Sequence, residues 1–361
     1  MTDETPPEPD RAPGAPHPRE ARRVLGQDGA IGDFLASARA GRLHHGWLLT
    51  GPRGTGKATL AWAIAKWLLA EGAADRLETD PEAPVVRRIR ALSEPRLHLV
   101  RRLIDDKTGR IRAEITVDEI RRLQGFFHMS AAEGGRRVAI IDAADELNPA
   151  AANALLKQLE EPPRDATLLL VAHQPGRLLP TIRSRCRELR LHPLDSGDMA
   201  QVLGDLGIAD DPEKLAALAG GSAGEAVRLA GQDGLALYQR IVDLFSAHPR
   251  IDRRAAAALA ETAAARAGAE GGDAFDLIVT LLDRFLTRAA RAGLLGAPLP
   301  EAATGEAEVL TRLSPDPQAA RLWAEAQAEL SARARAGRAV NLDPAALVMD
   351  MLIGLANLPA Q

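Results

Sequence analysis

The chain has a single cysteine, Cys186, in 361 residues. That excludes an internal disulfide framework and a multi-thiolate zinc site. The eight histidines fall at no metal-ligand spacing, so no metal is expected. Aromatic residues make up only 3%. No stretch approaches the roughly 18 consecutive apolar residues of a bilayer span, so no membrane contact is expected. The first residues carry no basic-then-apolar export pattern, and cytoplasmic residence is the expectation. Lysine is scarce: there are five among 45 basic residues, the rest being arginine. With abundant alanine and glycine, this resembles a coding bias, so an arginine counts for little unless a motif singles it out. What is present is ordinary for a globular chain: 46% hydrophobic, 26% charged, net charge −4. A globally basic nucleic-acid binder is excluded. The length suggests two or three domains.

Residues 1–20 hold six prolines and almost no apolar side chains, and predict a disordered tail. From 21 to 194, apolar runs at Gly46–Thr50, Val138–Asp142 and Leu168–Ala172 alternate with helical patterns. Such runs predict a parallel sheet covered on both faces. Residues 195–232 read as short helices punctuated by Gly220, Gly221 and Gly231, and 233–361 as an Ala/Leu-rich helical domain. The fold class expected is therefore an α/β P-loop domain, a small helical lid and an all-α C-terminal domain.

Directly after the 46–50 run comes Gly51-Pro-Arg-Gly54-Thr-Gly56-Lys57, followed by a helical face of Leu60, Ile64 and Leu68. Between a strand and a helix this is a phosphate loop. Its glycines let backbone N–H groups curl round a phosphate, and Lys57 reaches the β/γ oxygens. Magnesium coordination needs a hydroxyl after the lysine, and this chain has Ala58. Thr59 lies one residue on, about 100° round the helix. Asp142, closing a buried strand, suits the second half of the site, yet Ala143 stands where a water-orienting glutamate is expected. ATP or ADP binding without hydrolysis is compatible with this loop. No cofactor is required by it.

Downstream, Asp142-Ala-Ala-Asp145-Glu-Leu-Asn148-Pro149 and the helix running to Glu160-Glu-Pro162-Pro163 precede His173, Ser184, Arg185 and Cys186. Asn148 is a good N-cap, Pro149 suits a first helical turn, and the prolines end the helix. These segments resemble the bacterial DNA polymerase III clamp-loader subunits of the AAA+ superfamily, His173 lying after a sensor-1-like strand. The resemblance implies that Arg185 of the Ser-Arg-Cys motif projects into a neighbouring subunit's ATP site as an arginine finger. A guanidinium, always charged and forked, suits that role. Ala58, Ala143 and Gly224, the last where an ATPase carries a sensor-2 arginine, point to the delta-prime type and away from the ATP-hydrolysing tau/gamma type. Arg42–Gly51 and Ile115–Arg121 resemble delta-prime segments as well.

By resemblance the chain is a stator without ATPase activity of its own. Its implied partners are tau/gamma and delta subunits in a hetero-pentameric ring, with residues 233–361 in the collar. The sliding clamp is reached indirectly, and primed DNA through the assembly without sequence specificity. The alternative is an active tau/gamma-like ATPase, supported by the intact Gly51–Lys57 loop; a small-molecule P-loop kinase fits the Ser184–Cys186 context poorly. Where many relatives insert a four-cysteine zinc module, residues 70–100 hold no cysteine, and no zinc is carried over. The Lys107-Thr108-Gly109 turn between apolar-rich runs predicts a β-hairpin. Basic residues from Arg87 to Arg122 read as a solvated face more readily than as a DNA-backbone patch.

Overall fold

The computed structural model describes residues 8–12, 14–72, 75–105, 107–128, 135–264 and 273–358. The chain divides into two compact units, Met1–Leu194 and Asp195–Gln361.

The first unit runs α1 (Asp28–Arg39), β1 (Gly46–Thr50), α2 (Lys57–Leu69), α3 (Pro84–Arg90), β2 (Leu97–Arg101), α4 (Val117–His128), β3 (Arg137–Asp142), α5 (Pro149–Glu160), β4 (Ala166–Val171), α6 (Pro180–Arg183) and β5 (Arg187–Arg190). The strands form one sheet in the order β2-β3-β4-β1-β5, and every pairing is parallel. Side chains alternate across it. Trp47, Leu49, Val138, Ile140, Leu169 and Val171 pack with α1 and α2 on one face. Leu48, Ala139, Ile141, Leu168 and Leu170 pack with α4 and α5 on the other. Burial on both faces is why the central strands read as unbroken apolar runs.

The proline-rich N-terminal stretch departs from the tail expected there. From Glu8 the described residues are tied to the first unit, while residues 1–7 and 13 lie outside the described set. The buried Asp10 carboxylate accepts from His17 Nε2 at 3.0 Å and from the Arg101 guanidinium. His17 stands edge-on to Trp62 of α2, and Pro18–Glu20 forms one 3-10 turn. Composition undervalued the segment because it supplies few apolar side chains. It is held by a buried charge pair and prolines already close to their bound shape.

The hairpin expected around Lys107–Gly109 is present but short: the Asp105 N–H donates to the Arg110 carbonyl and the Arg112 N–H to the Leu103 carbonyl, both at 2.8 Å. Leu97–Arg101 is not a hairpin arm but a sheet strand paired in parallel with β3. The turn closes through a single antiparallel bridge, Ile104 to Ile111. Asp105 caps it, accepting from the N–H groups of Lys107 and Thr108.

Among its described residues the second unit is helical: α7 (Ser196–Asp205), α8 (Pro212–Ala219), α9 (Ala223–Ala230), α10 (Gly234–Phe245), α11 (Arg253–Thr262), α12 (Ala274–Leu295), α13 (Glu306–Leu313), α14 (Pro317–Ala339) and α15 (Pro344–Ala356). Side chains of Asp195, Asp211, Ser222, Asp252, Asp273, Asp316 and Asp343 cap seven of these helices. Leu277, Leu281, Leu282 and Phe285 of α12 are all buried. Glu306 is fully buried and holds Tyr238 Oη at 2.6 Å, Arg288 Nε at 2.6 Å and the N–H of Ala302 at 2.7 Å. No described helix is long and apolar enough to cross a membrane.

Candidate functional site

The phosphate loop lies between β1 and α2. Gly51, Gly54 and Gly56 all have positive φ, at 139°, 79° and 91°. Gly51 is also constrained by space: a Cβ there would sit 2.5 Å from the carbonyl oxygen of Leu191, just past β5. Thr55 is buried and donates its hydroxyl to the Pro52 carbonyl at 2.9 Å. The loop hydroxyl is thus committed within the loop.

Lys57, only 2% exposed, donates from Nζ to the carbonyls of Gly51 at 2.8 Å and Pro52 at 2.5 Å. Burial pushes its pKa down to about 8, against the pull of Asp142 and Asp145. Asp142 closes β3 and is likewise buried. Burial first, then the nearby carboxylates Asp10 and Glu146, push it up to about 7. Gly51, Gly54, Gly56, Lys57 and Asp142 are therefore brought to one place. The glycine backbone and the ammonium fit a phosphate. Ala58 has no oxygen for a magnesium ion, and the buried Ala143 has no acid for a water.

Three supports went unmarked in the sequence. Gln27, 3% exposed, donates to the carbonyls of Thr55 at 3.2 Å and His192 at 2.8 Å, and accepts from the His192 N–H at 3.0 Å. It ties the loop to the end of β5. The only local signal is a glutamine at a helix entry where Ser, Thr, Asp or Asn is preferred. Asp145 accepts from the N–H groups of His173 and Gln174. Lys66, also buried, donates to the Ala21 carbonyl at 2.9 Å. His173 itself is pushed down to about 4, by burial first and then by Lys57.

Arg185 lies elsewhere, in the link between α6 and β5. It is partly exposed, with its guanidinium hydrogen-bonded to the Thr181 carbonyl at 3.1 Å and ion-paired with Glu160 at 2.9 Å. Its neighbour Cys186 is partly buried, and burial pushes the thiol up to about 12, out of the reactive range. Asn148 caps α5 as its sequence predicts, accepting from the Ala151 N–H at 2.8 Å. Much of the basic stretch is internally paired: Arg88 with Glu94, Arg90 with Glu20, Arg101 with Asp10, Arg102 with Glu146, Arg121 with Asp118 and Arg122 with Glu119.

A five-stranded parallel sheet carrying a phosphate loop after β1 and an acid after β3 defines a P-loop protein of the AAA+ class. Residues 26–195 match the family model described as DNA polymerase III, delta subunit. Over this region, just under half of the chain, it is similar to delta-prime clamp-loader subunits of DNA polymerase III. It is 39% identical to the delta' subunit of Pseudomonas aeruginosa over 192 residues, 52% of this chain and 56% of that protein. Against the Bacillus subtilis delta' subunit identity is 35% over 196 residues, 54% of this chain and 56% of the relative. The tau subunit of Escherichia coli is 32% identical over 222 residues, 60% of this chain and 33% of tau. The chain thus spans about half the length of the delta' relatives and a third of tau.

Proposed function

We propose that this chain is the non-hydrolysing delta-prime-like stator of a clamp loader. In this reading it supplies Arg185 in trans to the ATP site of an adjacent tau/gamma subunit while the sliding clamp is loaded onto primed DNA. The observation that carries the reading is the pair of alanines, Ala58 and Ala143, set into an otherwise complete phosphate loop and strand-end acid. One removes the magnesium hydroxyl and the other the water-orienting acid. When a nucleotide is bound, Gly51, Gly54, Gly56 and Lys57 hold its phosphates, and hydrolysis does not follow. Residues 195–232 serve as the lid and 233–361 as the collar of a hetero-pentamer with tau/gamma and delta. DNA is engaged only through the assembly, without sequence reading, and the setting is cytoplasmic.

The intact loop and the identity to tau favour a second reading, an active tau/gamma-type ATPase. One experiment separates the two. Purified chain is assayed for Mg²⁺-dependent ATP hydrolysis alone and after reconstitution with tau/gamma and delta. The stator reading expects none alone, and a drop in clamp-stimulated turnover of the complex with Arg185→Ala, where arginine fingers contribute on the order of 10³–10⁵ in related enzymes. Hydrolysis by the isolated chain that Lys57→Ala abolishes would establish the alternative.

A further inference from the structure

We propose that Glu160 is the positioning residue of Arg185: it holds the guanidinium at the surface in the orientation from which it meets a partner's phosphate. The inference rests on the arginine-finger reading above. Glu160 is the last residue of α5 and follows the buried Leu159. Its carboxylate meets Arg185 at 2.9 Å, while the other terminal nitrogen of the guanidinium donates to the Thr181 carbonyl at 3.1 Å. One terminal nitrogen thus donates a hydrogen bond to the chain itself, the other is held by an ion pair, and the remaining donors stay available for phosphate oxygens. Two fixed contacts on either side of a planar fork define its plane.

The two elements that set this geometry are braced together. His45 Nε2 bonds to the Leu159 carbonyl at 3.0 Å. Gly46, at the start of β1, leaves room for both: a Cβ there would lie 3.0 Å from Leu159 Cδ2 and 3.3 Å from the Arg185 carbonyl oxygen. Helix stability does not account for the acid. A carboxylate in the last turn of a helix opposes the helix dipole, and Glu160 is half-exposed rather than packed. Among the described residues its ion pair is with Arg185. A carboxylate beside a guanidinium lowers the field felt by an incoming phosphate, but a loosely held fork loses more. A displacement on the order of 1 Å at a reacting centre costs up to about 10²-fold in rate.

The test uses the reconstituted complex with clamp and primed DNA, and compares Arg185→Ala, Glu160→Ala and Glu160→Gln. Glutamine keeps a side-chain oxygen that accepts from the guanidinium and drops only the charge. The expected result is that Glu160→Ala lowers kcat for ATP about three- to tenfold with KM for ATP unchanged, and that Glu160→Gln restores at least half of the wild-type rate. Assembly, followed by size-exclusion chromatography, is expected to be unaffected in all three, because a half-exposed side chain carries little folding energy. If Arg185→Ala lowers turnover while Glu160→Ala does not, or Glu160→Gln is as slow as Glu160→Ala, the positioning role is overturned and the finger stands. If Arg185→Ala leaves turnover unchanged, the finger reading itself fails and this inference with it.

Discussion

The Asp145 carboxylate receives two backbone N–H groups from the far side of β4, those of His173 at 2.9 Å and Gln174 at 3.0 Å. One side chain thereby locks the loop after β3 to the turn after β4. Both loops flank Lys57, since Asp145 and His173 each interact electrostatically with it. Asp145→Ala removes both acceptors and leaves the part-buried N–H of His173 and the exposed N–H of Gln174 without that partner. A loss of about 2–3 kcal/mol in urea unfolding of the full chain is expected, with Asp145→Asn retaining one bond and about half the stability.

The two buried lysines make stability depend on alkaline pH. Lys57 and Lys66 are each pushed down to about 8 by burial, whereas an unfolded chain titrates its lysines at about 10.4. Between those values the folded state holds fewer protons than the unfolded one, so this contribution to stability rises with pH and the penalty is full below pH 8. Lys66→Met removes one such penalty, worth at most about 3 kcal/mol. Its melting temperature should exceed that of the unchanged chain at pH 7, and the advantage should shrink steadily towards pH 10. A constant offset would show that Lys66 titrates normally.

Asp142 works in the opposite sense. Its folded-state value is raised to about 7 against about 3.9 in an unfolded chain. The folded state therefore binds more protons across that window, and stability is lost as pH rises from 4 to 7. Asp142→Asn should leave stability nearly unchanged at about pH 3.5 and raise it by a few kcal/mol, about 4 at most, at about pH 8. Denaturant midpoints at the two pH values decide the matter.

Gln27 spans a separation of 165 residues with two of its hydrogen bonds. Gln27→Ala should cost about 2–3 kcal/mol, because it strands the buried Thr55 carbonyl and two part-buried backbone groups of His192. Amide exchange at His192 is expected to rise well above that of the β1–β4 core, which would register loosening of the loop and not a general loss of fold.

In the second unit Glu306 is the buried hub, with Arg288 and Tyr238 as its charged and neutral partners. Glu306→Ala leaves the mostly buried Arg288 unpaired, and about 3–5 kcal/mol of stability should be lost. Tyr238→Phe, which removes one hydroxyl and keeps the ion pair, should cost about 1–2 kcal/mol in the same thermal-melt assay.

Some of these features were legible locally. The runs at β1, β3 and β4 announced themselves because burial on two faces demands an unbroken apolar stretch. Asn148-Pro149 marked the start of α5 because a cap is a contact within four residues. Strand β5 was missed and β2 was read as a hairpin arm instead of a sheet strand: both lie at sheet edges, and Arg187-Glu-Leu-Arg190, with only Leu189 buried, gives no apolar run. The anchoring of Asp10 was equally invisible, since its partner Arg101 lies 91 residues away.

By itself the sequence determined the phosphate loop, the acid at the end of β3, the alanines that follow Lys57 and Asp142, and the order of α/β and helical segments. All of these are consequences of residue type and short spacing. Only the tertiary structure decided that Lys57 turns onto its own loop carbonyls, that Gln27 and Asp145 brace that loop, and that Glu160 meets Arg185. Those depend on burial and on contacts between residues far apart in the chain. A local pattern does not contain them, because the free energy of a buried charge or a distant hydrogen bond is set by what the rest of the fold brings to it.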